Sequence, residues 1–177
     1  SVDGLDFLLS ELDMPCIKIA SSDVSYPDLL VRAARSGRPV MLAVGKSTLA
    51  EADTAVSTLF ENGCTRLVLM HCVANYPSRM EEMNLRIITS LAAMYPECVI
   101  GFSDHSMGIT AALGAVALGA KVIEKHFTLD NSRVGPDHWF SMDPDTMSSL
   151  VREVRNLEAA MGRPRKRVLP REDEGRH

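Results

Sequence analysis

At 177 residues the chain is long enough for one domain with a sizeable core, and an apolar content of 46% excludes a disordered polymer. A net charge of −4 argues against a nucleic-acid-binding surface, and no apolar run is long enough to span a membrane. The four cysteines, Cys16, Cys64, Cys72 and Cys98, form no C-x-x-C pair, so a zinc knuckle and a dithiol motif are both poorly supported; reduced thiols of a cytoplasmic protein are expected.

The chain opens in what reads as a helix in progress, Ser1–Phe7. Five short apolar runs follow: Cys16–Ala20, Val40–Val44, Leu67–Met70, Val99–Phe102 and Lys121–Ile123. Each is too short for a helix and apolar on both faces, as buried parallel strands are. Helical period marks the segments between and after them, Tyr26–Ser36, Leu49–Asn62, Asn84–Met94, Gly108–Leu118 and Asp145–Met161. Gly37 with Pro39, Gly63, Pro96 and Gly119 each precede a strand. Thr48-Leu49-Ala50-Glu51 has the capping-box pattern, and Asp143-Pro144 places a proline in the first turn of the last helix.

One helix followed by five βα units predicts a parallel α/β fold. Two architectures compete, an open doubly wound sheet and a (β/α)8 barrel. No G-x-G-x-x-G follows any strand, which lowers the dinucleotide-binding option. A barrel needs eight strands and ~250 residues, so the barrel reading requires this chain to be a fragment.

Two strand ends carry histidines. Val99-Ile100-Gly101-Phe102-Ser103-Asp104-His105 closes one, and Lys121-Val122-Ile123-Glu124-Lys125-His126 closes the next. Strand C-termini face the active site in a parallel barrel, and neutral imidazole is the commonest side-chain metal ligand. The pair therefore points to a shared divalent ion, whereas one strand-end histidine alone would suggest a hydrogen-bonded structural group. Lys18 lies inside an apolar strand, which is costly unless it faces a polar cavity or an anion; Ser21, Ser22 and Asp23 follow it. In His71-Cys72-Val73-Ala74-Asn75-Tyr76-Pro77, His71 reads as structural, and Asn75 and Tyr76 as better placed for a ligand. Asp137, in Gly135-Pro136-Asp137-His138, is either a polar contact on a loop over a barrel mouth or a solvated turn residue. Gly45-Lys46-Ser47-Thr48 lacks the first glycine of a P-loop, Val40 standing in its place; it is a capped helix start or a weak phosphate-binding N-terminus.

Taken in order, K-I-A-S-x-D, H-C-x-x-x-Y-P, N-L-R, G-F-S-D-H, L-G-A-K-V-I-E-K-H-F-T and G-P-D-H-x-F-S resemble the N-acetylneuraminate (sialic acid) synthase family from Cys16 to about Met161. The resemblance implies a TIM-type (β/α)8 barrel, of which this chain carries strands four to eight over residues 1–162. Residues 163–177 then resemble a linker toward a missing antifreeze-like C-terminal domain. It further implies condensation of phosphoenolpyruvate with N-acetylmannosamine or a related N-acetylated amino sugar, and a homodimer for the intact protein. His105 and His126 match the ligands of a divalent ion, usually Mn2+, with Mg2+ or Co2+ as alternatives. Lys18, Ser21 and Ser103 match positions that bind phosphoenolpyruvate; Asp23, Tyr76 and Asp137 match positions that contact the sugar.

Three positions depart from the family pattern. Ala43 replaces a phosphate-binding serine, Ala74 an asparagine and Lys46 a methionine. Each lost hydroxyl or amide contact weakens binding by ~0.5–3 kcal/mol. The missing first strands and these losses lead to two expectations. The fragment alone is inactive or very slow, and a non-catalytic sugar- or phosphate-binding module on the same half barrel is the alternative.

Overall fold

The computed structural model describes residues 1–173. Helix α1 (Val2–Glu11) leads into β1 (Ile17–Ile19), α2 (Pro27–Ala34), β2 (Val40–Ala43), α3 (Leu49–Glu61), β3 (Leu67–Cys72), α4 (Ile87–Met94), β4 (Val99–Asp104), α5 (Thr110–Ala117), β5 (Val122–Lys125), α6 (Pro144–Met161) and α7 (Pro170–Asp173). The helix signals act where the sequence places them. Thr48 and Glu51 form a reciprocal capping box at α3, and Asp143 caps α6 with Pro144 in its first turn. The segment expected to be a linker is exposed from Arg163 onward, and its last positions, 174–177, lie outside the described residues.

All five strands are parallel and lie side by side in chain order. This order has no reversal, so right-handed crossovers carry every connecting helix to the same face. One core forms there: Ile17, Ile19, Val40, Leu42, Leu67, Leu69, Ile100 and Phe102 from the strands pack on Leu30, Ala33, Val56, Leu59, Ile88, Leu91 and Ala111 from the helices. A doubly wound sheet, with helices on both faces, is thereby excluded.

The opposite face is concave. In a flat sheet the four intervals between β1 and β5 would hold them ~19 Å apart, since neighbouring strands lie ~4.8 Å apart. Yet Lys18 of β1 forms an ion pair with Glu124 of β5 at 3.3 Å. The sheet therefore curls into a half-barrel with these side chains meeting across its hollow. Lys18 is in register with Met41, Val68 and Val99, whereas Glu124 is in register with Ser103 and Cys72. Their contact across that stagger reflects the strand tilt that accompanies barrel curvature.

The short runs are apolar on both faces apart from Lys18 and Lys121, as expected, and polar groups enter only where the strands continue beyond them. Their inner face carries Met41, Ala43, Val68, Met70, Cys72 and Val122, then polar groups. β3, β4 and β5 run two residues further than their apolar cores because His71, Cys72, Ser103, Asp104, Glu124 and Lys125 continue the ladder. Gly101 sits between Met70 and Val122 on this face; a Cβ there would lie 3.1 Å from the Val122 carbonyl oxygen and 3.2 Å from its Cβ. Gly114 of α5 would meet only the end of the Leu85 side chain. Gly101→Ala is therefore expected to destabilise the protein by ~1–3 kcal/mol through overpacking. In Gly114→Ala, relief of the helix glycine penalty offsets a cheap side-chain shift, for a net change within ~1 kcal/mol. Urea denaturation of both variants measures the contrast.

Candidate active site

Period-two alternation decides which groups enter the hollow. Ser103 and His105 on the β4 side, and Glu124 and His126 on the β5 side, share the inner face. Asp104 and Lys125, register partners, point the other way. His105 and His126 follow the last residues of these strands, and their ring centroids lie 5.2 Å apart. Metal–nitrogen bonds of ~2 Å put each ring centroid ~3.2 Å from an ion, so two rings sharing one ion have centroids at most ~6.4 Å apart. The observed spacing fits a shared ion.

The donor chemistry fits as well. His105 is buried, and its Nδ1 lies 2.8 Å from the Val73 carbonyl oxygen. A carbonyl only accepts, so the proton resides on Nδ1 and Nε2 presents a lone pair, the arrangement that orients histidine ligands. His126 turns its Nδ1 toward Asp137 Oδ2 at 3.6 Å. Burial and the neighbouring His105 push the His126 pKa below its usual value against the pull of Asp137 and Glu124, favouring the neutral form that a ligand needs. Among the described residues no third His, Cys, Asp or Glu joins these two in a ready-made cluster.

Loops fix both histidines through the backbone. The Ser78 N–H donates to the His105 carbonyl and the Met142 N–H to that of His126. Tyr76 lies against His105, with centroids 4.3 Å apart, and 5.7 Å from His126; Phe140 backs His126 at 5.1 Å. Asn131 donates to the carbonyls of His138 and Ser141, and Ser141 Oγ to that of Asp137, bracing the loop that carries Asp137.

Deeper in the hollow, Ser103 Oγ donates to Glu124 Oε1 at 2.6 Å, and the same oxygen pairs with Lys18. The structure thus gathers two groups, His105, His126, Tyr76 and Asp137 at the rim, and Lys18, Ser103 and Glu124 beneath. Ser21 is elsewhere on the same end, where its Oγ accepts from the Gly45 N–H at 3.0 Å. A Cβ at Gly45 would lie 2.9 Å from both Cys72 Sγ and Ser21 Oγ and 3.1 Å from the Cys72 carbonyl oxygen, so a larger residue would force these neighbours to shift. Asp23 ends a short turn after β1, and among the described residues its carboxylate forms no hydrogen bond or ion pair with either group. Asn75 turns to Glu82. The N-terminus of α3 is occupied by its own Glu51, whose carboxylate accepts from the Thr48 N–H, which supports the capped-helix reading of Gly45–Thr48. Glu124, a polar neighbour of the histidine pair in the sequence, stands two residues before His126 on the same face, and the contacts with Lys18 and Ser103 are what the sequence alone does not show.

The chain is thus an α/β half-barrel of five parallel strands, with paired histidines and a lysine–carboxylate–serine cluster at the C-terminal end of its sheet. Residues 1–166 match the NeuB family, and the chain belongs to it. It is 38% identical over 165 residues to the human N-acetylneuraminate-9-phosphate synthase, covering 92% of this chain and 45% of that protein. It is 39% identical over 157 residues to the N,N'-diacetyllegionaminic acid synthase of Campylobacter jejuni, covering 88% and 47%. The crystal structure of an N-acetylneuraminic acid synthetase from Leptospira borgpetersenii, in complex with citrate, superposes with a TM-score of 0.90 at 37% identity, covering 99% of this chain and 60% of that one. The chain spans about half the length of the curated relatives it matches.

His71 is the structural histidine of the set. Its Nε2 bonds the Met83 carbonyl and its ring stacks on Phe102, away from the hollow. Burial holds its pKa below the usual 6.5, with the Met83 bond pulling weakly upward. The unfolded chain takes up a proton near pH 6.5 that the folded chain refuses, so stability is lost as pH falls below ~6.5 and levels off beneath the folded pKa. His71→Gln is expected to flatten the fall in stability between pH 7 and 5, measured by urea denaturation.

Proposed function

We propose that this chain supplies strands four to eight of a (β/α)8 synthase barrel, with residues 163–177 leading toward a further domain. The intact protein condenses phosphoenolpyruvate with N-acetylmannosamine or a related N-acetylated amino sugar. A carbon–carbon bond forms between the enol carbon and the sugar aldehyde, water adds to the former enol-ether carbon, and phosphate leaves. A nine-carbon 2-keto sugar acid remains.

The observation that carries this reading is the convergence of His105 and His126 at one rim, each with Nδ1 turned to an oxygen and Nε2 available. They would hold a divalent ion such as Mn2+, which when bound supplies Lewis-acid polarisation of a carbonyl oxygen. Lys18 and Ser103 already hold a carboxylate, that of Glu124, which supports their taking the carboxylate or phosphate of phosphoenolpyruvate. Tyr76 walls the histidines and Asp137 faces them from the loop, in reach of a sugar entering from the rim. Ser21, whose hydroxyl accepts from the Gly45 N–H and keeps its own proton to donate, would add a contact to phosphoenolpyruvate, and Asp23 one to the sugar.

The test is phosphate release from phosphoenolpyruvate by the intact protein with Mn2+ and N-acetylmannosamine. Turnover is expected, and no release with any N-acetylated hexosamine would contradict the reading. Lys18→Met in that protein removes a charged hydrogen-bonding partner worth ~1.5–3 kcal/mol, so KM for phosphoenolpyruvate should rise roughly 10- to 150-fold. Ala43, an apolar residue packed with Met70 and Cys72, favours a second reading, a non-catalytic binding module. Calorimetry separates the two, since a module would bind sugar or phosphate without dependence on metal.

A further inference from the structure

A buried ion pair lies behind the two histidines. The Lys125 Nζ reaches Asp104 Oδ2 at 3.0 Å, with side chains only 3% and 0% exposed. Lys125 spends its other two protons on the carbonyls of Ser106, at 2.6 Å, and Gly108, at 3.1 Å. The second carboxylate oxygen of Asp104 accepts from the Ser106 N–H and Oγ, at 2.8 and 2.7 Å. All three protons of the lysine and both oxygens of the aspartate are engaged.

The placement matters more than the burial. Asp104 and Lys125 are register partners, and each immediately precedes one of the histidines. Lys125, one residue before His126, grips the backbone just after His105. Asp104, one residue before His105, ties back to the same turn. The network therefore connects the two histidine-bearing strand ends directly. A buried pair of this kind adds little net stability compared with apolar packing, because desolvation offsets its attraction. An apolar pair would not, however, hold the Ser106–Gly108 turn against the end of β5.

We propose that Lys125, acting with Asp104, is a positioning residue that sets the spacing and orientation of His105 and His126 for one divalent ion. This rests on the proposed metal-binding role of the two histidines. Outer contacts that orient a ligand typically change metal affinity by about 10- to 100-fold when removed.

The test is titration of the chain with Mn2+, following the free-ion signal by electron paramagnetic resonance, alongside NMR of the histidine rings in the metal-free protein. The double variant Asp104→Asn/Lys125→Met removes both charges together, leaving neither buried alone. It is expected to bind Mn2+ at least about tenfold more weakly and to shift the ring signals of His105 and His126 while those of His71 stay in place. Ser106→Ala, which removes one hydroxyl contact to Asp104, should weaken binding about two- to tenfold and decides the matter if the double variant does not fold. Ile88→Val, a core change in α4, controls for loss of stability and should leave affinity unchanged. Wild-type Mn2+ affinity and unmoved ring signals in the folded variants would overturn the positioning role. Failure of the wild-type chain to bind Mn2+ at all would instead overturn the metal-binding reading on which it rests.

Discussion

The ion pair between Lys125 and Asp104 joins β4 to β5 one residue before each gives way to a histidine. Because side chains alternate, a bond made on the helix-facing side of these strands fixes what stands on the hollow side. His105 and His126 converge as a consequence of that register. A slip of one residue between β4 and β5 would turn one histidine into the helix layer and the neighbouring charge into the hollow. The Ser78 and Met142 amides, which bind the two histidine carbonyls, then hold the rims of the same strands.

Curvature is the second constraint, and it is set by sequential strand order. With every helix on one side, the apolar layer between helices and sheet is continuous, and the sheet bends away from it. The hollow is lined by Met41, Val68, Met70 and Val122 at the base and by polar groups above, and Gly101 keeps the middle layer from overfilling. At the top of that layer, Glu124 occupies the place between Lys18 and Ser103. Its carboxylate neutralises a lysine that would otherwise stand unpaired in a partly buried cavity. An anion entering the hollow must share or displace that contact.

Much of this was legible in the residues. Strand-sized apolar runs, the Thr48 and Asp143 caps and the glycine breakers located each βα unit, and the two strand-end histidines marked the rim. What the apolar runs could not show was where strands end on the functional side. His71, Ser103, Asp104 and Glu124 are polar yet belong to the ladder, because each finds a hydrogen-bond partner where it lies: His71 on Met83, Asp104 on Ser106 and Lys125, Ser103 on Glu124. The Asp104–Lys125 pair was equally hidden, since it depends on register between strands 21 residues apart in sequence. Ser21 and Asp23 illustrate the converse: their place at a strand end is plain, but the turn after β1 directs Ser21 to the Gly45 amide and leaves Asp23 apart.

Everything proposed for this rim requires the two strand-end histidines to share one divalent ion. Anomalous scattering from a crystal of this chain grown with Mn2+ tests it most directly. A single strong peak is expected about 2 Å from Nε2 of both His105 and His126. A peak bound to only one of them, or to other residues with this rim empty, would contradict it.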